Sequence, residues 1–517
     1  MATLQVNRRR LLQLGAATAL ISVTGFRATA QSPLQRLTAQ GPVIGVELSD
    51  SFAFYGIPFA APPVGKLRFR GPQEPPPRRG PLRASNFAPA PIQKQPRPGL
   101  YMDGPMPLSE DCLHLNIWAP KEAGPHPVYV WIHGGGNVAG ASRMPVFDGN
   151  RLARHGIVCV SISYRVGVFG FLDVSSILGN EYAGSGNNGL LDIVQALQWV
   201  RANITEFGGD PQALTIGGQS AGGKNVCSLL ALPAAKGLFR AAICESGGAE
   251  TAMNTERACK MADDFEAAAD GLNLLTASPE ALLEAQNRFS ARWDRKYPFR
   301  AIIDGVHLTD VPLYTMRDGK SADVPVLMGT TRDENAFFGP NTDGSGTVAQ
   351  GDIANMAIER FNAIYTKYDT TLPNATPTDR RYAALTAEEY WVPTIRAADM
   401  LTAAQHKVHV YRLDMPRTEA PNAGYAVHGS ELPLLWSKLD DPRSAELGPE
   451  GAAAQRLSDL MHADWVRFIK TGTLRDDWPT YGTERATMIY DADARIVNDP
   501  DADQRRLWSA TAFDFPL

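Results

Sequence analysis

Short, uninterrupted apolar runs punctuate this chain. Leu113 to Trp118, Val128 to Ile132, Ile157 to Tyr164, Leu214 to Gly217, Arg240 to Cys244, Val324 to Met328 and Val408 to Arg412 all have strand length and strand-forming residues. A strand that is apolar at both parities buries both of its faces, so these runs predict a mostly parallel central sheet with helices on both faces. Helical spacing fills the gaps between them. Ile193, Ala196, Leu197, Val200 and Ile204 mark a helix over Asp192 to Phe207, stopped by Gly208-Gly209, and Leu457 to Ile469 is amphipathic at the same period.

The ends and insertions complete the pattern. Pro42 to Val46 and Ser51 to Tyr55 predict short antiparallel strands, while Thr487 to Tyr490 and Arg495 to Val497 predict closing ones. Gly56 to Arg70 and the proline-rich run to Pro107 predict irregular surface chain, ordered because it carries Phe59, Leu67, Phe69 and Tyr101. Thr251 to Tyr297 and Asn341 to Gln405 are helix-rich intervals expected over the C-terminal edge of the sheet, where open α/β sheets bind ligands. No repeat interrupts residues 31–517, which are expected to form one domain.

The first thirty residues stand apart. Asn7-Arg8-Arg9-Arg10-Leu11-Leu12 leads into a small apolar run ending at Phe26, and Ala28-Thr29-Ala30 is a cleavage signal. Together they predict a twin-arginine export peptide cut after Ala30, and hence a periplasmic or secreted protein without stable membrane insertion. Cleavage would remove four arginines and no acid, taking 50 basic residues to 46 against 55 acidic, a net charge of −9. That balance argues against nucleic acid as a partner. Cys112, Cys159, Cys227, Cys244 and Cys259 are an odd set without metal-site spacing, so at least one is unpaired; a Cys244–Cys259 bridge is left open.

Candidate chemistry gathers on one apolar run. Leu214 to Gly217 enters Gly218-Gln219-Ser220-Ala221-Gly222, and a helix-forming segment from Lys224 to Leu230 leaves it. A serine at such a strand-to-helix turn is pushed outward, and the flanking glycines let neighbouring backbone come close. A serine hydroxyl needs a base, and the base needs an acid. His428, in a glycine-flanked loop late in the chain, stands where the base is expected. For the acid, Asp333 and Glu334 follow one strand, and Asp304 lies in an Asp-Gly turn. His133-Gly134-Gly135-Gly136 ends a buried strand, so the N–H groups of Gly135 and Gly136, with that of Ala221, are expected to form an oxyanion hole.

With these residues in view, the chain from about Gly41 to Trp508 resembles the type-B carboxylesterase family, which includes cholinesterases and para-nitrobenzyl esterases. The motifs carrying the likeness are GIPFAAPPVGKLRF, SEDCLHLNIW, VYVWIHGGG, SYRVGVFGFL, GNNGLLDIVQALQWVRANITEFGGDP, GGQSAGG, GTTRDEN and AVHGSELP. The resemblance implies an α/β-hydrolase fold and a triad of Ser220, Glu334 and His428, with Ser246 as a buried partner of the acid. It also implies ion pairs Arg68–Glu110 and Arg165–Asp210. Four departures stand out. Gln219 replaces an acid beside the nucleophile, Asn137 replaces an aromatic after the oxyanion glycines, DEN replaces DEG, and no cysteine between Gln31 and Asp111 can pair with Cys112.

The expected function is hydrolysis of small-molecule carboxylic esters through an acyl-enzyme, with no metal or organic cofactor. Neutral esters are expected to be preferred over choline esters. Gln219 removes an acid, and the loop from Gln93 to Asp111 has no tryptophan, only Tyr101, to face an ammonium group.

Overall fold

The computed structural model describes residues 34–95, 104–339, 344–509 and 513. The export peptide expected over residues 1–30 and Tyr101 lie outside them.

An eleven-stranded sheet forms the centre. From one edge to the other its strands are Arg495–Asn498, Ala486–Tyr490, Val408–Leu413, Val326–Thr331, Ala241–Glu245, Gly209–Gln219, His126–Ile132, Val158–Ile162, His114–Pro120, Ser51–Pro58 and Val46–Glu47. From Ala486–Tyr490 through Val158–Ile162 neighbouring strands run parallel; antiparallel pairing is confined to the two margins. The run expected as one strand over 42–46 is divided. Gly41–Ile44 joins a separate three-stranded sheet with Gln35–Thr38 and Leu82–Arg83, while Val46–Glu47 edges the main one. The division falls at Gly45, where a Cβ would stand 2.4 Å from the Ala53 carbonyl oxygen.

Alternation along each strand sends side chains to opposite faces. Val128, Val130, Ile132, Leu214, Ile216 and Val326 pack on one face with the helices Asn188–Asn203, Ala221–Ala231 and Val392–Ala403. Tyr129, Trp131, Ala241, Ile243, Leu327 and Tyr411 pack on the other, against Gly451–Thr471. Both faces are therefore covered, as continuous apolar runs require. Trp465 of that last helix is 1% exposed, and truncating a side chain of this size costs about 3–5 kcal/mol.

Two ion pairs were expected to clamp the loops, and one is re-partnered. Arg68 grips Glu110 at 2.5 and 2.7 Å and also donates to the carbonyls of Leu274 and Ala277, tying the irregular surface chain to the first helical insertion. Arg165 does not reach Asp210. It binds Asp192 through its guanidinium at 2.6 and 2.8 Å and through its own N–H at 3.0 Å. The buried helix residue Asp192 meets both donors at once, whereas Asp210 turns back to accept the N–H of Gln212. All five cysteines are free thiols. Cys244 is buried and Cys259 exposed, so the open question of their bridge closes against it.

Candidate active site

The strand Gly209–Gln219 delivers Ser220 into the first turn of Ala221–Ala231. Ser220 adopts φ 59°, ψ −125°, a left-handed setting that costs a non-glycine residue roughly 1–3 kcal/mol and persists only where its surroundings impose it. They do so here. Ser220 N–H donates to the Glu245 carbonyl of the neighbouring strand at 2.9 Å, and its carbonyl accepts the Lys224 N–H at 2.9 Å to begin the helix. A Cβ on Gly222 would lie 2.1 Å from the Ile132 carbonyl oxygen, and one on Gly218 would lie 2.6 Å from Gly222. The glycines are thus required by close backbone approach.

The loop after His126–Ile132 lies against this turn. Gly135 and Gly136 sit at φ 114° and 63°, and among the described residues nothing accepts a hydrogen bond from their N–H groups. Ala221 is the first residue of its helix, so its N–H also has no partner within that helix. Buried His133 stacks on Tyr164 at 4.4 Å, and the Tyr164 hydroxyl donates to the His133 carbonyl at 2.8 Å, fixing the loop from behind. Burial holds the His133 imidazole down at about 4, and hence neutral. Asn137, at φ 56°, accepts the side-chain amide of Asn225 at 3.1 Å and donates to the Phe299 carbonyl at 3.3 Å.

The three carboxylates left open by the sequence take three different partners. Glu334, fully buried after the strand Val326–Thr331, receives the Nδ1–H of His428 on Oε2. Its Oε1 accepts the Ser246 hydroxyl at 2.6 Å and the Thr331 N–H at 2.8 Å. Asp333 instead accepts the Ala426 N–H at 3.0 Å and donates its own N–H to the Ala426 carbonyl at 2.9 Å, anchoring the loop two residues before His428. Asp304 binds His307 at 2.7 Å and caps its own turn through the N–H groups of Val306, His307 and Leu308.

Because Glu334 takes the Nδ1 proton, Nε2 of His428 is the accepting nitrogen. Gln219 approaches it with Nε2 at 3.3 Å. Tyr390 and Phe338 lie against the imidazole at 4.7 and 5.0 Å between ring centres.

Several side chains absent from the sequence reading also face this region. Lys224 follows Ser220 by one helical turn, a spacing that puts both on one helix face and was available as a signal. Lys296 and Glu389 pair at 2.9 Å, and Lys224 stands 3.8 Å from the same carboxylate. Burial acts to raise Glu389, but Lys296 and Lys224 outweigh it and bring the group down to about 2. Burial pulls Lys224 down to about 8 and raises Glu388 to about 7. Glu388, Glu389 and Tyr390 occupy one π-helical turn, Ala387–Trp391, within the helix-rich interval 341–405 that the sequence expected over the ligand-binding edge without naming residues. Among the described residues no group of three or more His, Cys, Asp or Glu side chains is placed to hold a metal ion.

Comparison with known proteins agrees with this architecture. The model of the carboxylesterase family matches residues 32–508. A para-nitrobenzyl esterase of Bacillus subtilis (strain 168) is 36% identical over 493 residues, covering 91% of this chain and 97% of that protein. A fumonisin B1 esterase of Sphingopyxis macrogoltabida is 34% identical over 496 residues, covering 92% and 90%. A solved structure of a thermophilic PNB esterase superposes with a TM-score of 0.81 at 32% identity, covering 92% of this chain and 100% of that one.

Proposed function

The chain belongs to the carboxylesterase family, and from that premise we propose which of its residues perform the reaction and which esters it takes. It has the α/β-hydrolase fold and is a serine ester hydrolase. In the proposed cycle Ser220 Oγ attacks the ester carbonyl carbon and its proton passes to His428 Nε2. The carbonyl electron pair moves onto oxygen, held by the N–H groups of Gly135, Gly136 and Ala221. Collapse expels the alcohol, which takes the proton from His428 and leaves an acyl group on Oγ. Water then repeats the sequence and releases the acid. Glu334, itself held by Ser246 and Thr331, keeps the imidazole in the required tautomer.

The observation that carries this reading is the chain of contacts Ser246–Glu334–His428, whose ring meets Gln219, the residue just before the strained Ser220. In the resting arrangement Gln219 reaches the same ring nitrogen at 3.3 Å, a long contact that the serine hydroxyl displaces when substrate tightens the site. A fluorophosphonate that labels Ser220 in one-to-one stoichiometry, identified by peptide mass, while activity falls in parallel, is the expected outcome. Label elsewhere with activity lost would reassign the nucleophile.

Neutral esters are proposed to be taken in preference to choline esters. Gln219 offers no negative charge, Lys224 and Arg300 line the pocket beside Ser220, and Lys296 lies against the ring of the lining residue Tyr297. Export is also proposed, resting on the Arg8-Arg9-Arg10 segment and Ala28-Thr29-Ala30. No helix among the described residues is long and apolar enough to cross a membrane. Replacing Arg8, Arg9 and Arg10 by lysine should leave the esterase in the cytosolic fraction; unchanged distribution would refute the export route.

A further inference from the structure

Beside Ser220 lies a pocket walled in part by Gly136, Ala221, Lys224, Tyr297 and Arg300, with about 30 Å³ free in this resting arrangement. It holds an oxyanion glycine but not His428. The departing alcohol must sit against His428 to collect its proton, so this cavity receives the acyl chain. An acyl pocket for an ordinary fatty ester needs only apolar walls. This one carries buried cations with too few counter-ions.

Lys224 Nζ makes no hydrogen bond among the described residues. It rests over the rings of Tyr390 and Tyr297 at 4.9 and 5.6 Å, and Glu389 Oε1, at 3.8 Å, is beyond hydrogen-bonding reach. Lys296 engages the other oxygen of Glu389, Oε2, at 2.9 Å, while Oε1 has no hydrogen-bond partner among the described residues. Arg300, 7% exposed, spends its guanidinium on neutral oxygens alone: Asn355 Oδ1 and the carbonyls of Tyr297, Lys296 and Ala354. Glu388, the other carboxylate of the cluster, is turned to the N–H groups of Ala354 and Asn355. Three cations therefore face one firmly ionised carboxylate and one that burial raises to about 7. Tyr297 is itself held at φ 56°, a setting a bulky side chain adopts only under constraint, with its ring against Gly136.

A buried charge without a counter-ion is costly, and an anionic ligand removes that cost. We propose that this pocket is an anion-accepting acyl site, with Lys224 as its specificity-determining cation, and that the enzyme takes esters whose acyl chain carries a carboxylate. This rests on the reading of Ser220 as nucleophile and extends it from ester hydrolysis to monoesters of dicarboxylic acids. Carboxylate-bearing esters stand above neutral ones in the expected order, and choline esters below both.

The test compares monoethyl succinate, glutarate and adipate with ethyl butyrate, valerate and hexanoate, following released ethanol. At least one monoester should exceed the neutral esters in kcat/KM by roughly tenfold or more, chiefly through KM. The advantage should collapse in Lys224→Met and return in Lys224→Arg, with active-site titration confirming equal folded enzyme. Hydrolysis of neutral esters without any advantage for the monoesters overturns the anion site and leaves the esterase reading standing. An advantage unaltered in folded Lys224→Met overturns the role of Lys224. Hydrolysis of neither series overturns both readings.

Discussion

The side-chain nitrogen of Gln219 lies 3.3 Å from Nε2 of His428, the ring atom that must accept the proton of Ser220. A neutral amide there lends no charge to the imidazolium formed during attack. Gln219→Glu would place a carboxylate at the same contact and favour the protonated ring, since an opposite charge at this range raises a histidine by about one unit or more. The acid limb of the kcat/KM profile should move to higher pH in the variant. The ratio for butyrylthiocholine over a neutral butyrate thioester, expected to be below one in the native protein, should rise. An unmoved limb would mean that residue 219 does not feel the ring.

Ser220→Ala should fold and bind substrate with turnover reduced by roughly 10³–10⁶. The left-handed setting of Ser220 is imposed by its bond to the Glu245 carbonyl and by the packing of Gly218 and Gly222, none of which uses the hydroxyl. Near-native circular dichroism with activity close to native would remove Ser220 from the reaction.

Three carboxylates separate by their amides. Glu334→Gln should cost up to about 10⁴ in kcat, because its side chain no longer dictates the His428 tautomer. Asp333→Asn should act more mildly, since Asp333 holds backbone at Ala426 rather than the ring, and the effect should include lost thermal stability. Asp304→Asn should leave kcat within a fewfold of native, because its partner is His307. A crippled Asp304→Asn beside an active Glu334→Gln would reverse these assignments.

What the sequence made legible was whatever local backbone chemistry dictates. Runs such as Val128 to Ile132 had apolar side chains at both parities because both faces are covered, and the Gly218 and Gly222 pair announced the close approach at Ser220. The partner of Arg165 was not legible. Asp192 and Asp210 are both acids within the same stretch, and only the packing of the helix Asn188–Asn203 brings Asp192 under the guanidinium. The charge cluster of Lys224, Lys296, Arg300, Glu388 and Glu389 was hidden for a similar reason. Its members come from three separated segments, two of them in insertions whose composition resembles ordinary solvated helix. Choosing Glu334 took the family likeness, since the residues alone left Asp333, Glu334 and Asp304 open.

Beneath the site, Glu245 sets a pH dependence of stability. Its Oε1 accepts the indole N–H of Trp465 at 2.8 Å, while Oε2 has no hydrogen-bond partner among the described residues. Burial pushes this carboxyl up to about 8, and the single indole bond offsets only part of that rise. Unfolded, the group returns to an ordinary value near its reference of 4.5. Between those values the folded protein keeps a proton that the unfolded chain releases. The contribution of Glu245 is therefore fully present below the unfolded value and is lost as pH climbs through the folded one, by at most about 1.4 kcal/mol per pH unit. Glu245→Gln preserves an oxygen for Trp465 and has nothing to titrate. Urea midpoints of the two proteins should coincide near pH 5 and diverge up to pH 9, with the variant the more resistant at the alkaline end. Glu431, also buried, is raised in part by the charge of Glu245, so its own alkaline penalty shrinks in the variant and widens the divergence in the same direction. Parallel curves over the whole range would show that Glu245 is ionised in the folded protein and that the indole bond, with the surrounding dipoles, suffices to hold its charge.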